Sequence, residues 1–344
     1  MALKIIQVGL GGWGRSWAVS VVRSTREVEL VACVDVVPAM LERAREELAL
    51  APEQCFTSLQ EALATVACDA VLVTASLPGH VPAAMTALQA GKHVLLEKPF
   101  APTLAEARQL VTLARQQDRI LMISQNYRFH PAVQRVRDLI REQTLGPVGT
   151  VHIAFRKFRN TAPRESNPHY HIWQPLLADM SIHHFDLMRY ILGQEATDLF
   201  CQAWNPTWSN FDEPASAAAV ITFSAGTIVN YQGSWVSTGP QTSWAGFWRV
   251  ECERGELCWE SRGSGETDVP DRATMRVLGG EPEEIALPTM ARIDRHGSLD
   301  AFVQAVHSGK EPGSSGRDNL GTLALMLAAI TSSNNHAALH LSRP

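Results

Sequence analysis

A histidine between two carboxylates is the first candidate for chemistry. Asp179, His183 and Asp186 occur in residues 175–192, whose apolar pattern predicts a helix. At i, i+4 and i, i+3 spacing the three side chains share one face of such a helix. Carboxylates can fix the tautomer of a histidine and stabilise its protonated form, as a general base for an alcohol proton needs. The alternative is a solvated, salt-bridged helix face with Asp186 paired to Arg189.

A lysine at the end of a predicted strand is the second candidate. Glu97-Lys98-Pro99 follows directly on the apolar run His93–Leu96. A parallel sheet binds its ligands beyond the carboxyl ends of its strands. Lys98 could therefore donate hydrogen bonds to a substrate hydroxyl or carbonyl oxygen and stabilise the negative charge that develops there. The alternative is a Lys-Pro turn on the surface.

A glycine-rich turn predicts where a dinucleotide binds. The apolar run Leu3–Val8 leads into Gly9-Leu-Gly11-Gly12-Trp13-Gly14, and a helical pattern follows. In a G-x-G-x-x-G turn the first glycine makes the tight bend, the second admits the pyrophosphate and the third lets the helix pack on the strand. The N–H groups at the helix start then hold the phosphate charge. The alternative is a glycine-rich turn in another kind of α/β protein.

An acidic residue after the next strand indicates which dinucleotide binds. The apolar run Val28–Val34 ends in Asp35, 21 residues after Gly14, where an acid can accept hydrogen bonds from the adenosine ribose. A carboxylate there repels a 2′-phosphate, and residues 36–38 supply no Arg or Lys to offset it. NAD is therefore favoured over NADP. Asp35 could also cap the helix that Pro38 begins.

A polar and aromatic loop, residues 159–174, is a candidate for binding a polyhydroxylated ligand. It contains donors for hydroxyl groups and rings for the apolar face of a sugar, among them Arg159, His171 and Trp173. A long exposed loop would have a similar composition. Histidines cluster here and at positions 183 and 184, but no H-E-x-x-H or cysteine spacing supports zinc, so we expect no metal. His184 points away from His183 and is predicted to be structural.

The predicted elements divide the chain into two domains. In residues 1–124 strands alternate with helices, which predicts a Rossmann domain with a parallel sheet. In residues 125–344 strand patterns dominate after residue 196, and we expect an α+β domain with a mostly antiparallel sheet. The predicted strands are Leu3–Val8, Val28–Val34, Asp69–Val73, His93–Leu96, Arg119–Ile123, Val148–Phe158 and several between residues 196 and 287; the predicted helices are Pro82–Ala90, Thr103–Gln117, Pro131–Arg141, Pro175–Leu192, Ser298–His307 and Asp318–Ser333.

Composition excludes several classes of function. The chain has 344 residues, 45% of them hydrophobic, and a formal net charge of −5, which is ordinary for a globular protein. No basic run of nucleic-acid type and no apolar stretch of about 18 residues occurs, so we expect neither nucleic-acid binding nor a membrane span. The six cysteines form no C-x-x-C pair, and the first strand leaves no room for a signal peptide, which favours a reduced, cytoplasmic protein.

Taken together, these residues make the chain resemble the Gfo/Idh/MocA family, named for glucose–fructose oxidoreductase and inositol dehydrogenase. The likeness runs nearly end to end. The motifs that carry it are Gly9-x-Gly11-x-x-Gly14, His80 through Ala90-Gly-Lys-His-Val-Leu-Leu-Glu97-Lys98-Pro99, Asn126-Tyr-Arg-Phe-His-Pro131 and Asp179-x-x-x-His183-x-x-Asp186. The chain departs at Ser181, where many members have glycine, and at Ala75, where many have proline.

The resemblance implies roles for particular residues. His183 would take the hydroxyl proton, Asp179 would support it and Lys98 would hold the reacting oxygen, with Glu97 near the nicotinamide ribose and a cis Lys98–Pro99 bond. The candidate cofactor-binding residues are Gly9, Gly11, Gly12, Trp13, Gly14, Asp35, Thr74, Ser76, His80, Glu97, Lys98 and Asn126. The candidate substrate-binding residues are Lys98, Tyr127, Arg159, His171, Trp173, Asp179 and His183.

Three functions remain open at this point. The first is an NAD-dependent oxidoreductase acting on a secondary alcohol of a sugar, inositol or related polyol. The second is an NAD-dependent glycosidase of the same fold, which oxidises a hydroxyl transiently and eliminates a leaving group. The third is a non-enzymatic NAD-binding regulator, against which Lys98, Asp179 and His183 argue because a sensor needs none of them. In each case the resemblance also implies that residues 125–344 form a large open sheet that binds substrate and provides the interface of a homodimer or homotetramer.

Overall fold

A computed structural model describes residues 2–263 and 270–342 and divides the chain into two compact units. The first unit takes the chain up to Asn126 together with Arg292–Leu320. The second takes Tyr127–Ala291 and the chain from Gly321 onward. The first division lies close to the predicted boundary after residue 124, but Arg292–Leu320 was predicted in the second domain and belongs to the first unit.

The first unit is built on a six-stranded parallel sheet with the order β3-β2-β1-β4-β5-β6. The elements are β1 Leu3–Val8, α1 Gly12–Ser20, β2 Val28–Val34, α2 Pro38–Leu48, β3 Cys55–Phe56, α3 Leu59–Thr65, β4 Ala70–Val73, α4 Leu77–Gln89, β5 His93–Leu96, α5 Leu104–Gln116 and β6 Leu121–Ile123. The strand order reverses between β1 and β4, which is the switch point of a doubly wound Rossmann sheet. The predicted parallel sheet is confirmed.

Helix ends in this unit follow the chemistry of their caps. Thr103 accepts a hydrogen bond at Oγ1 from the amide of Glu106 at 3.2 Å and begins α5. Gly91, with φ +70°, lies just beyond α4, which ends at Gln89, one residue before the predicted Ala90. Helix α4 starts at Leu77 and not at the predicted Pro82, so Pro82 lies inside the helix and has no amide to donate to the carbonyl of Pro78.

The second unit is built on a larger, mostly antiparallel sheet. Its elements as far as β14 are α6 Pro131–Arg141, β7 Val148–Arg156, α7 Ser181–Leu192, β8 Ala196–Trp204, β9 Ser216–Phe223, β10 Ile228–Ser234, β11 Phe247–Cys252, β12 Gly255–Glu260, β13 Arg272–Val277 and β14 Glu283–Glu284. With β15 Leu339–His340, nine strands of the described residues pair in the order β14-β13-β12-β11-β7-β10-β9-β8-β15. The β7–β10 pair is parallel and the other neighbours are antiparallel, so the prediction of a mostly antiparallel sheet is confirmed.

Two helices follow β14, α8 Asp294–Ser308 and α9 Gly316–Asn335. Helix α8 contacts β5, and the loop before α9 forms an antiparallel bridge with β6 between Ser315 and Met122. Gln125 donates from Nε2 to Oδ1 of Asn319 at 2.9 Å, and both groups are buried. These contacts explain why residues 292–320 join the first unit, which no local pattern indicates. Neither helix, nor any other in the described ranges, could span a membrane.

The helix predicted from Pro175 is shorter than expected and begins at Ser181. The carbonyl oxygen of Pro175 accepts from the indole N–H of Trp235 at 2.8 Å. The amides of Asp179 and Ser181 bond to carbonyls five residues back, those of Gln174 and Leu176, and not four. Residues 175–180 therefore form wide turns, and Asp179 precedes α7.

Candidate functional site

The glycine turn of the first unit is shaped to receive a phosphate group. Gly9 has φ +91°, and a Cβ at Gly9 would collide with the backbone of Ala75. A Cβ at Gly14 would collide with the carbonyl oxygen of Gly9, so α1 packs against the turn without a side chain between them. No atom lies within 4 Å of a Cβ built at Gly11 or Gly12. The bare helix start with open space above it fits the pyrophosphate of a dinucleotide.

Thr74 and Ser76, which follow β4, differ in the hydrogen bonds that their hydroxyl groups make. The Thr74 hydroxyl donates to the carbonyl of Gly9 at 2.7 Å and accepts from Nε2 of Gln7 at 3.0 Å. Thr74 thus ties β4 to the glycine turn. Ser76 is the N-cap residue of α4, but its side chain makes no capping hydrogen bond and is exposed. Its contact with cofactor stays a prediction.

Asp35 holds backbone on both sides of the predicted ribose site. Oδ2 accepts from the amide of Leu10 at 2.6 Å, within the glycine turn, and Oδ1 accepts from the amide of Val37 at 2.9 Å. The second bond is a local turn to Val37, the N-cap residue of α2, and that helix has no side-chain capping hydrogen bond, so Asp35 does not have the capping role considered from the sequence. A half-buried carboxylate oriented in this way retains lone pairs for ribose hydroxyls.

Around Lys98 the backbone and Glu97 are fixed by hydrogen bonds. The Lys98–Pro99 peptide is cis, as the resemblance implied. Glu97 is buried; it accepts at Oε1 from the indole N–H of Trp17 at 2.7 Å and at Oε2 from the amide of Lys98 at 3.2 Å. His80 lies between the carbonyl oxygens of Pro99 and Ala75, at 2.7 and 2.9 Å. His80 therefore supports the Lys98 turn, and burial lowers its pKa.

Asn126 is the last residue of the first unit before the chain enters the second unit. It donates from Nδ2 to Oδ1 of Asp294, which also belongs to the first unit. Asp294 is the first residue of α8 and has φ +56°. Asn126, a predicted cofactor-binding residue, is thus hydrogen-bonded to the segment 292–320, which returns to the first unit from much later in the chain.

In the second unit His183 lies against an aromatic ring. The imidazole stacks on the phenol ring of Tyr127 with centroids 4.0 Å apart and planes within 3°. His183 is 6% exposed and sits in the first turn of α7. The structure therefore brings together two predicted substrate residues that are distant in sequence, and the stacking fixes the plane of the candidate base.

Asp186 lies in α7 three residues after His183, as predicted, but Asp179 does not share that helix. Asp179 precedes the helix, and its Oδ2 lies 3.4 Å from Nε2 of His169. Asp186 accepts two hydrogen bonds from Arg128, from Nε at 2.7 Å and from an Nη at 2.6 Å, within the second unit. Asp186 is thus part of a buried ion pair. The alternative pairing of Asp186 with Arg189 is also wrong, because Arg189 binds Glu195 in the same bidentate way.

His184 is structural, as predicted. Its Nε2 donates to the carbonyl of Trp244 at 3.1 Å, which leaves Nδ1 to accept from the hydroxyl of Tyr231 at 3.0 Å. Complete burial lowers the pKa of His184 to about 4. The ring is therefore neutral at physiological pH and cannot serve as a charged partner of the site.

The loop residues predicted to bind substrate fall into three environments. The Arg159 guanidinium lies over the indole of Trp244, 5.1 Å from its centroid. His171 is exposed; its Nδ1 lies 2.6 Å from Oδ2 of Asp212, and this hydrogen bond raises the pKa of His171. Trp173 is also exposed. His171 is thus hydrogen-bonded to Asp212. Contacts of Arg159, His171 and Trp173 with substrate stay predictions.

Arg262 is a site residue that the sequence did not indicate. It donates from an Nη to the hydroxyl of Tyr127 at 2.9 Å, and its guanidinium lies 4.5 Å from the centre of that ring. It follows β12, and its amide donates to Asp271, which also accepts from the amide of Ala132 at the start of α6. No local pattern marks such a residue, because only pairing of distant strands brings it to Tyr127.

No group of three or more potential metal ligands occurs within residues 2–263 and 270–342. His169, His171, His183 and His184 each have the separate contacts described above. The histidine-rich stretch therefore does not assemble as a cluster in the part of the chain that the structure describes.

Comparisons with known proteins agree with this geometry. Residues 3–125 match the model of an oxidoreductase family with an NAD-binding Rossmann fold, and residues 133–258 match the GFO/IDH/MocA C-terminal domain. The chain is 27% identical to D-apiose dehydrogenase of Paraburkholderia graminis, covering 91% of this chain and 83% of that protein. It is 25% identical to 1,5-anhydro-D-fructose reductase of Ensifer adhaerens, covering 94% of each.

Solved structures show the same fold. An aldose–aldose oxidoreductase from Caulobacter crescentus, complexed with glycerol, superposes with a TM-score of 0.84 at 20% identity over 99% of this chain and 100% of that one. An oxidoreductase from Agrobacterium radiobacter, complexed with NAD+, L-tartaric acid and magnesium, gives 0.86 at 18% identity over 99% and 98%. The predicted two-part architecture is confirmed by these matches.

Proposed function

Since the chain belongs to the Gfo/Idh/MocA family of NAD-binding oxidoreductases, we propose that its substrate is a secondary alcohol of a sugar, inositol or related polyol. NAD, when bound, supplies the hydride acceptor. The relatives named for D-apiose and 1,5-anhydro-D-fructose support a carbohydrate substrate. The chain's own residues bind and orient that substrate and move its hydroxyl proton.

The observation that carries this proposal is the setting of His183. A base for an alcohol proton must hold one orientation while its protonation changes. Stacking on Tyr127 at 4.0 Å provides that orientation, and near-complete burial shields the ring from water. We assign His183 as the group that takes the hydroxyl proton, with Asp179 supporting it electrostatically.

Lys98 is assigned to the reacting oxygen. Its backbone is held by the Glu97 carboxylate, which the Trp17 indole in turn fixes at 2.7 Å. An ammonium group placed by a rigid turn can stabilise an oxygen that gains negative charge without reorganising during the reaction. Tyr127, Arg159 and Trp173 are proposed to bind the hydroxyls and apolar face of the substrate.

NAD is proposed as the preferred dinucleotide over NADP. The support is Asp35, whose carboxylate is anchored to the amides of Leu10 and Val37 and so cannot turn away from a 2′-phosphate at little cost. The negative charges of the Asp35 carboxylate and of a 2′-phosphate would repel each other, which disfavours NADP binding.

A homodimer or homotetramer formed through the open sheet is also proposed. Phe200, Val220 and Phe247 are 43%, 49% and 40% exposed. Their strands pair so that all three lie on one face of the sheet, with Phe200 opposite Val220. Exposed apolar patches on a sheet face are typical of interfaces.

His183→Ala tests the catalytic assignment. Turnover should fall by about 10²–10⁴, the usual range for a lost general base. NADH affinity should stay unchanged, because the glycine turn and Asp35 belong to the other unit. His336→Ala, an exposed histidine of the second unit, is the matched control and should keep full activity. A His183→Ala protein that melts earlier but turns over normally would refute the assignment.

A panel of polyols, aldoses and glycosides incubated with NAD tests the reaction type. Net accumulation of NADH with a polyol or sugar is expected. Release of an aglycone without net NADH would instead indicate the redox-assisted glycosidase and overturn the proposed reaction.

A further inference from the structure

Arg159, in the second unit, holds a half-buried guanidinium against a tryptophan ring. The guanidinium lies 5.1 Å from the centroid of Trp244, and no hydrogen-bond acceptor or carboxylate is its partner in the part of the chain that the structure describes. Arginines close to it in the sequence do have acceptors: Arg156 donates from Nε to a backbone carbonyl at 2.8 Å, and Arg164 pairs with Asp212. Arg159 therefore retains its donors for a group that binds from outside.

Hydrogen bonds to the backbone fix both members of this stack. The amide of Arg159 donates to the carbonyl of Trp235 at 2.7 Å, and the carbonyl of Arg159 accepts from the Tyr170 hydroxyl at 2.7 Å. The carbonyl of Trp244 accepts from Nε2 of His184 at 3.1 Å. A guanidinium that starts from a fixed backbone and rests on a fixed ring loses less conformational entropy when it binds a ligand.

The same indole connects Arg159 to the candidate base. The Arg262 guanidinium lies 6.0 Å from the centroid of Trp244 and 4.5 Å from that of Tyr127. His183 stacks on the Tyr127 ring at 4.0 Å. All of these residues belong to the second unit. Contacts of 6.0 Å or less thus run from Arg159 to His183 without a gap.

Cations gather around the Trp244 indole. Besides Arg159 and Arg262, the ammonium of Lys157 lies 4.8 Å from its centroid, and Lys157 is 2% exposed. Asp212, an acid of a neighbouring loop, is already bound by an arginine and a histidine. Positive charges that contact one ring repel one another, and an anion placed beside Arg159 would reduce that repulsion.

We propose that the substrate carries an anionic group, a carboxylate or a phosphate, and that Arg159 binds it. This inference rests on the proposed function and narrows its substrate class from sugars and polyols in general to acidic ones. A planar guanidinium presents donors in a fork that matches two oxygens of either anion. Stacking on Trp244 fixes the plane of that fork. The alternative is that Arg159 binds a hydroxyl or only packs on the indole.

Matched neutral and acidic sugars distinguish these roles on the full chain with NADH bound. Calorimetry at constant ionic strength gives dissociation constants for glucose, glucuronate and glucose 6-phosphate, and for the same three members of the galactose and mannose series. In at least one series an acidic member should bind about 10-fold tighter than the neutral sugar, or more, the effect of a hydrogen bond between charged groups. The carboxylate and phosphate members show which anion the site takes.

Three variants complete the test. Arg159→Gln should weaken the acidic member about 10-fold or more and the neutral sugar much less, so that the preference for the acid disappears. Arg159→Lys keeps the charge but not the fork, and should recover part of the affinity for the acid. Arg156→Gln removes the same charge three residues away, at the end of β7, and should bind every probe as the wild type does. Melting curves of the ligand-free variants establish that each is folded.

Acidic members that bind no better than neutral ones in every series would overturn the proposal. So would equal losses of acidic and neutral affinity in Arg159→Gln, which would show that Arg159 binds a hydroxyl or only packs on the indole. If that variant does not fold, the comparison rests on Arg159→Lys, which should weaken the acidic member and spare the neutral one.

Turnover of the same probes with NAD separates this inference from the proposed function. An acidic sugar that binds through Arg159 but yields no NADH would contradict the proposed oxidation and leave the anion site standing. A neutral sugar that is oxidised, with no acidic member preferred in binding, would support the oxidation and refute the anion site.

Discussion

Replacing Asp186 by Asn separates stability from chemistry on one helix. Asp186 and Arg128 are 1% and 4% exposed, and both carboxylate oxygens accept from the guanidinium. The hydroxyl of Thr322 donates to Oδ1 as well, at 3.0 Å. The amide of Asn keeps the shape but removes the charge and turns one acceptor into a donor facing Arg128. The variant therefore leaves a buried cation without its counter-charge.

The expected magnitude follows from that burial. Breaking a buried ion pair by removing one partner costs about 3–5 kcal/mol. A unit of roughly 150–250 residues loses about 2–4 °C in Tm for each kcal/mol, so Tm should fall by about 6–20 °C. Glu311→Gln is the control, since Arg317 also bonds both oxygens of Glu311 but the two side chains are exposed, at 74% and 45%. An exposed pair contributes about 0–1 kcal/mol, so this control should shift Tm by a few degrees at most.

Thermal and denaturant melting of both variants provide the measurement, with turnover determined per folded molecule. Asp186→Asn should lose stability and far less turnover than His183→Ala. A Tm shift under about 2 °C would correspond to less than about 1 kcal/mol and would refute the buried-pair reasoning. Loss of turnover as large as that of His183→Ala in a stable Asp186→Asn protein would place Asp186 in the chemistry instead.

Three other outcomes follow from the structure. Because the unfolded chain protonates His184 near pH 6.5 and the folded protein only near pH 4, the free energy of unfolding should fall by about 3 kcal/mol as pH drops across that window, and His184→Gln should flatten the slope seen in denaturant titrations. Asp35→Ala should narrow the difference between NAD and NADP dissociation constants; unchanged discrimination would contradict the role of Asp35. Val220→Glu should halve the mass measured by light scattering at micromolar concentration, and a wild-type monomer would reject the sheet interface.

The first unit could be predicted well from the sequence because its signals are local. The chain bends at Gly9, and α1 approaches that bend closely at Gly14, so both glycines are required by contacts within a few residues. The strands β1, β4 and β5 are apolar runs because a parallel sheet is covered on both faces. Asp35 directly follows β2, so its place at the carboxyl end of that strand follows from its position in the chain.

The start of α7 could not be predicted because it depends on a distant group. The apolar pattern continues back to Pro175, but the Trp235 indole takes the carbonyl that a helix would use. Asp179 is thereby displaced from the face it would share with His183. Similarly, nothing near Asp186 in the sequence shows that Arg128 would be its partner and not Arg189.

The sequence by itself determined the two-part architecture, the dinucleotide site and the residue types available for hydride chemistry, because these depend on periodicity and on turns of a few residues. Tertiary structure alone decided which charges pair and which segment belongs to which unit. Arg262 on Tyr127 and Arg159 on Trp244 both depend on contacts between residues far apart in the chain. Such contacts form only when strands and helices pack, and spacing along the chain does not encode them.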